Sequence, residues 1–281
     1  MTYIHAIKGS LLAFAIFVSV AILVPGHGPS DEVQLILTIS TFLFAIIAGF
    51  FLTRLNTRYD RVRELVASED ALFLSFYRAS IFFGTNFKQI IGKIIDKIYI
   101  LSFDYDLGKY YKHNSQYIDS IYDELAKVKK LKNEKALNLF DDMVVMLTDL
   151  EDNRNKSTVI TTERLTKGHW SVMLTLSAII VFSIFYLKTE AIYSQVISIL
   201  LSTVVVLVLL IIRDLQNFKH GGELLLSESG QEMFEAVGKL RYYNKRDLDS
   251  GVIKVPAHIK KYRLGLHKPG EKLNIKVVTN K

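Results

Sequence analysis

Directly behind an uncharged run at residues 33–53 stand Arg54, Asn56, Tyr59, Asp60, Arg61 and Glu64. Repeated around an axis by several copies of a chain, carboxylates of this kind favour cations and guanidinium groups favour anions. On a straight helix Thr57, Asp60 and Glu64 continue the face of Thr53, while Arg54, Arg58 and Arg61 point to its flank. Asp60, Arg61 and Glu64 equally suit ion pairs along and between helices, so the sign of any conducted ion stays open. No other constellation offers chemistry. The chain holds no Ser/His/Asp set, His-Glu-x-x-His, Walker loop or nucleotide-binding Gly pattern, so neither an enzyme nor a cofactor is expected. It has no Cys, which excludes disulfides, thiolate metal sites and a Cys nucleophile.

The elements that must position these residues follow from the apolar pattern. Half of the 281 residues are hydrophobic, too many for an ordinary soluble domain, and they concentrate in four uncharged runs. Residues 7–24, 33–53, 171–187 and 191–212 are each long enough to cross a bilayer core of about 30 Å at roughly 1.5 Å per residue. The first lacks the small residues of a cleavage site and reads as a retained span. The second passes into Arg54 and beyond with no Pro or Gly between, so its helix is expected to leave the bilayer intact. Short connectors, Pro25 to Pro29 and Lys188 to Glu190, predict two hairpins. No intramembrane Asp, Glu, Lys or Arg is present, which argues against a proton-coupled transporter and leaves a passive pore, a sensor or a scaffold.

The string Arg54-x-Asn56-x-x-Tyr59-Asp60-Arg61-x-x-Glu64 resembles the FRTNxxYDRWWE string behind the second transmembrane helix of bacterial bestrophins, with Val62 and Arg63 in place of the two Trp. The continuation LVASEDALFLSFYRA, containing Glu69, is closer to the RRxLVxxEAxAxxxxYLR run of the bacterial bestrophin-like domain family. Behind the fourth span, Arg213-Asp214-Leu215-Gln216-Asn217 through Gly221, Gly222 and Ser227 resembles that family's DLxxPFxGxxxxS, with Asn217 where Pro is usual. The family motif thus falls on Arg54, Asn56, Tyr59, Asp60, Arg61, Glu64, Glu69, Asp214 and Gly222. The resemblance implies a pentamer whose second helices line an axis, with bulky apolar residues spaced by four making a neck. Counting back from Tyr59-Asp60-Arg61 places Thr53, Gly49 and Ala45 there, with Phe42, Ile46 and Phe50 one residue over. Pore-lining candidates are therefore Thr38, Phe42, Ala45, Ile46, Gly49 and Thr53; Thr57, Asp60 and Glu64 are candidates for the cytosolic mouth. Ala45, Ala48 and Gly49 also suit close helix packing, and that alternative has equal weight.

The expected fold is all-α: membrane hairpins at residues 1–53 and 168–212, a helical cytosolic domain at 54–167, and a cytosolic helix with a basic tail at 213–281. The Lys and Arg flanking the spans put both termini in the cytoplasm of a cell's inner, plasma membrane. The net charge of +7 fits such cytoplasmic flanks, and no nucleic-acid partner is expected. The partners expected are copies of the same chain, membrane lipids and inorganic ions. Several lesser features invite bland readings. His27 lies alone in a turn. Asp104-x-Asp106 starts like a calcium loop that its later positions do not complete. Asp141, Asp142, Asp149, Glu151 and Asp152 read as a solvated acidic face. Trp170 suits the interfacial belt. The tail from Lys254, broken by Pro256, Pro269 and Gly270, reads as a loosely structured strap, with anionic lipid a lesser reading.

Overall fold

The computed structural model describes residues 5–105, 110–128, 134–218, 222–251 and 253–280. Asp106, Gly108, Lys219 and Gly221 lie outside the described residues. The helices are α1 (Ala6–Leu23), α2 (Asp31–Ala79), α3 (Thr85–Asp104), α4 (Tyr110–Ala126), α5 (Glu134–Thr162), α6 (Lys167–Leu187), α7 (Ile192–Gln216), α8 (Gly222–Ala236) and the short α9 (Lys245–Asp249). Stretches long and apolar enough to cross a membrane are Ala6–Leu23, Asp31–Phe83, Glu134–Leu187 and Ile192–Gln216. The second of them contains the 49-residue α2, unbroken as its lack of Pro predicts. Contacts divide the chain into two compact units, residues 1–60 with 164–220 and residues 61–163 with 221–281.

In the first unit α1 and α6 both pack along α7. The core joins Phe44, Ala48, Phe51 and Leu55 of α2 to Met173, Ile180 and Ile184 of α6 and to Ile212 and Leu215 of α7. Ser10, Ser177, Ser183, Ser198 and Ser202 are buried beside this apolar set, small enough to let helices approach closely. The ends of the bundle are tied by polar groups. Ala6 N donates to Asp214 Oδ2 at 2.9 Å, so a carboxylate from α7 satisfies an otherwise orphaned amide at the start of α1. At the other end of α1, the buried Lys188 Nζ donates to Ala21 O, a last-turn carbonyl. Lys188 is also the residue that directly follows α6, so the connector after α6 is tied to the end of α1. The connector after α1 is seated there as well. His27 N donates to Tyr186 O at 2.8 Å, and the rings of His27 and Tyr186 stack at 4.6 Å. A Cβ on Gly26 would lie 1.9 Å from Lys188 O, so the chain has no room for any other residue at that position.

The second unit closes around Phe73, Phe76, Ile91, Ile95, Ile98, Ile121, Met143, Leu147, Leu150, Phe234 and Tyr242. The apolar stripe on α5 supplies Met143, Leu147 and Leu150 to this core, while Asp141, Asp142, Asp149, Glu151 and Asp152 on the same helix stay exposed. The all-α expectation needs correction here. A three-stranded sheet of order β1-β2-β3 joins β1 (Tyr242–Asn244), β2 (Lys261–Gly265) and β3 (Ile275–Thr279); β1 runs parallel to β2, and β2 antiparallel to β3. The tail is therefore folded rather than a loose strap. Pro269 and Gly270, which break any helical pattern here, make its turn. Glu271 N donates to Lys268 O at 3.0 Å, with Pro269 and Gly270 between them and Gly270 at φ +87°. Pro at the second place and a left-handed Gly at the third is the pattern of a type II turn.

Candidate pore-lining helix and its anchor

Along the apolar part of α2 the side chains separate into two faces. Phe44, Ala48, Phe51, Leu55 and Arg58, at intervals of three and four, are buried within the chain's own unit. Thr38, Phe42, Ala45, Ile46, Gly49, Thr53, Thr57 and Asp60 are all exposed, on the side of the helix away from that stripe. Phe42 is 66% exposed and Phe50 62%, values that leave most of each ring without a neighbour in the chain. A Cβ built on Gly49 meets nothing within 4 Å. Of the three small residues weighed for packing, Ala48 alone is buried within the chain, and Ala45 and Gly49 are exposed. Further along the same helix, Glu64 is also exposed and pairs with Arg61 at 2.7 Å, both side chains remaining more than half exposed.

The buried face of α2 carries an anchor at Arg58, a residue that the sequence places on the flank of that helix. Arg58, 7% exposed, lays its guanidinium 4.2 Å from the centre of the Phe218 ring and donates from Nη2 to Gln216 O at 3.1 Å. Arg164 Nη1 donates to the same carbonyl at 2.5 Å. Two cations thus meet the negative end of α7, where carbonyls lack intrahelical partners. Gln216 contributes its side chain too: Oε1 accepts from Trp170 Nε1 at 3.1 Å and from Leu165 N at 3.2 Å. Phe218 reaches its place through a left-handed backbone, φ 55°, rare outside Gly and Asn. The Tyr59 ring also stacks with Phe218, centroids 5.8 Å apart. One signal in the sequence pointed here: Arg58 falls on the apolar stripe Phe51, Leu55, Val62, Leu65, where a charge needs specific partners.

The remaining motif residues take different places. Asp214 is buried and bridges Ala6 N and Arg213, whose Nη2 donates to Oδ1 at 2.9 Å. Glu69 is buried in the second unit; Arg54 and Asn56 are exposed; Gly222 is the first residue of α8. Asp104, the first carboxylate of the Asp104-x-Asp106 pair, is buried with its oxygens already occupied. Oδ1 accepts from Tyr242 Oη at 2.8 Å and Asn244 Nδ2 at 2.9 Å, and Oδ2 meets His267 Nε2 at 2.7 Å. Burial, reinforced by the Asp104 carboxylate, holds the Tyr242 phenol far above its ordinary pKa. This node fastens the sheet to the end of α3 within the second unit.

Asp70 is a second buried carboxyl of that unit and accepts from the hydroxyls of Tyr99 and Ser229. Burial raises its pKa, the two hydroxyls oppose the rise, and Glu232 adds to it. A raised folded-state pKa contributes stability that is complete below the ordinary carboxylate value and is lost as pH rises through the folded value. The charged form therefore costs stability at neutral pH. Asp70→Asn, which keeps one acceptor and gains a donor, is expected to raise Tm at pH 8 and to lose that advantage towards pH 4. Thermal unfolding of the purified protein in detergent at the two pH values checks the sign.

The family model for the Bestrophin-like domain matches residues 10–217. The chain belongs to that family. The match runs from within α1 to the end of α7 and contains both faces of α2 and most of the anchor. With four apolar helices of spanning length, this member is a multi-pass membrane protein related to the bestrophin channels. No curated protein and no solved structure matches the chain.

Proposed function

We propose that this bestrophin-like protein is the subunit of a homo-oligomeric ion channel, a pentamer by resemblance. Small inorganic ions pass down an axis lined by Thr38, Phe42, Ala45, Ile46, Gly49 and Thr53 of α2. Thr57, Asp60 and Glu64 stand at its cytosolic mouth. The observation that carries this reading is the division of α2 into a stripe packed within its own chain and an opposite face left open along the whole apolar run. An open face mixing Gly49, Thr38 and Thr53 with large apolar side chains suits a narrow, mostly apolar passage better than lipid contact alone. The buried stripe and the Arg58 anchor support this orientation of α2.

The reading is tested by purified protein in planar bilayers, with stoichiometry measured in parallel by mass photometry. Discrete currents from a symmetric oligomer are expected. A monomer or dimer, or silence in every salt, would leave a membrane scaffold instead. In the proposed topology, with both termini and the second unit in the cytoplasm of a plasma membrane, reporters fused after Gly28 and Thr189 face outward and one after Ser115 faces inward. This follows from Lys8, Arg54, Arg58, Arg164, Lys167 and Arg213 flanking the spans on one side. An inward signal at Gly28 would overturn it.

A further inference from the structure

We propose that the outer edge of β3 is a docking site for an extended acidic segment of another protein, which adds to the sheet as a fourth strand. The register carries the first half of the argument. Strand β3 pairs with β2 so that Lys261 faces Thr279 and Gly265 faces Ile275. The flanking bonds, Asn280 N to Lys260 O at 2.9 Å and Leu266 N to Asn274 O at 2.8 Å, belong to even-numbered positions. In an antiparallel ladder the bonded pairs alternate, so Lys276 and Val278 turn their amides and carbonyls to β2. Ile275, Val277 and Thr279 turn theirs outward. Those outward groups have no backbone partner among the described residues. The other edge of β2 is already taken: Arg263 N donates to Arg241 O at 2.7 Å on the β1 side. The result is one open edge of alternating donors and acceptors, the template for strand addition.

Charge selects the occupant. Residues 254–281 hold eight Lys and Arg against Glu271 alone, which leaves +7, as large as the formal net charge of the entire chain. Lys254, Lys260, Lys268, Lys272 and Lys276 are exposed. Arg263 is spent on Asp96, at 2.7 Å. A second copy of this tail would set Lys276 and the same overall excess of positive charge against its like, so the lysines disfavour self-pairing as they favour an acidic strand. Side chains alternate across the strand. Lys276 stands on one face and Val277, 64% exposed, on the other. The fitting partner thus alternates carboxylates with apolar residues. This sheet lies beyond the family match, which ends at residue 217, so the inference is independent of the channel reading.

The test uses the full chain in detergent micelles and a fluorescent short peptide of alternating Glu and Val, followed by polarisation. Binding is expected for this peptide and not for its Lys/Val counterpart. N-methylation of alternate peptide residues, which removes the donors of one edge, should abolish it. Val277→Pro should weaken it about tenfold or more, because it removes an outward N–H without touching the β2–β3 ladder. Amide exchange at Leu264 and Lys276 verifies that the ladder survives in the variant. Equal binding of the N-methylated peptide would mean charge alone is read and would overturn the proposal. So would protection at Ile275, Val277 and Thr279 that appears with phosphatidylglycerol but not with the peptide, which would assign the edge to lipid.

Discussion

Gly49→Phe is expected to remove most of the single-channel current while the oligomer elutes as the parent does. The substitution adds a ring at each copy of the proposed neck, at a position that is exposed and where a Cβ meets no atom of the described residues within 4 Å. The two rival roles of Gly49 give opposite signatures. If the residue instead packs tightly against a neighbouring subunit, the added ring overpacks that contact at a cost of about 1–3 kcal/mol, and the oligomer is lost before any current can be measured. Current in planar bilayers and sizing of the same preparation separate the cases. An intact oligomer with unaltered conductance would remove Gly49 from the passage. Ala48→Phe is the matching control, because Ala48 is buried and should fail at assembly or folding.

Arg58→Ala is expected to lower stability by about 3.5–5 kcal/mol, the sum of a charged hydrogen bond to Gln216 O and a desolvated cation–π contact with Phe218. Arg58→Lys should recover part of this loss, since an ammonium keeps the charge at the end of α7 but not the planar stacking surface. Arg61→Ala should cost under about 0.5 kcal/mol, because its pair with Glu64 is exposed on both sides. Thermal unfolding of the three variants in detergent orders them. Equal effects at positions 58 and 61 would mean that the buried anchor contributes no more than a surface pair.

The four apolar helices were legible because their signals are local. Length and the lack of charge define the apolar helices, and a helix without Pro between Asp31 and Ala79 has no cause to stop. The orientation of α2 about its own axis was not legible. From Leu35 to Leu52 nearly every residue is apolar, so periodicity distinguishes no face, and the stripe Phe44, Ala48, Phe51 is defined only by what packs on it. The roles of Asp214 and Asp104 depend on partners far away in sequence, Ala6 and His267. The sheet was hidden for another reason. β2, KYRLG, carries no β-branched residue at all, Lys276 interrupts the β-branched run of β3, and Pro269-Gly270 reads as a break rather than as the turn between two strands.

The core of the second unit has a consequence for how the protein is made. Ile91, Ile95, Met143 and Leu147 emerge early from the ribosome, but Phe234 and Tyr242, which complete the same cluster, come only after α6 and α7. At about 5–20 residues per second, the interval from Leu150 to Tyr242 lasts roughly 5–20 s. During that time α6 and α7 are made while the core of the second unit still lacks Phe234 and Tyr242. Nascent chains stalled before Tyr242 should therefore be the species that chaperones hold and proteases cut, whereas chains released beyond Thr279 should resist both.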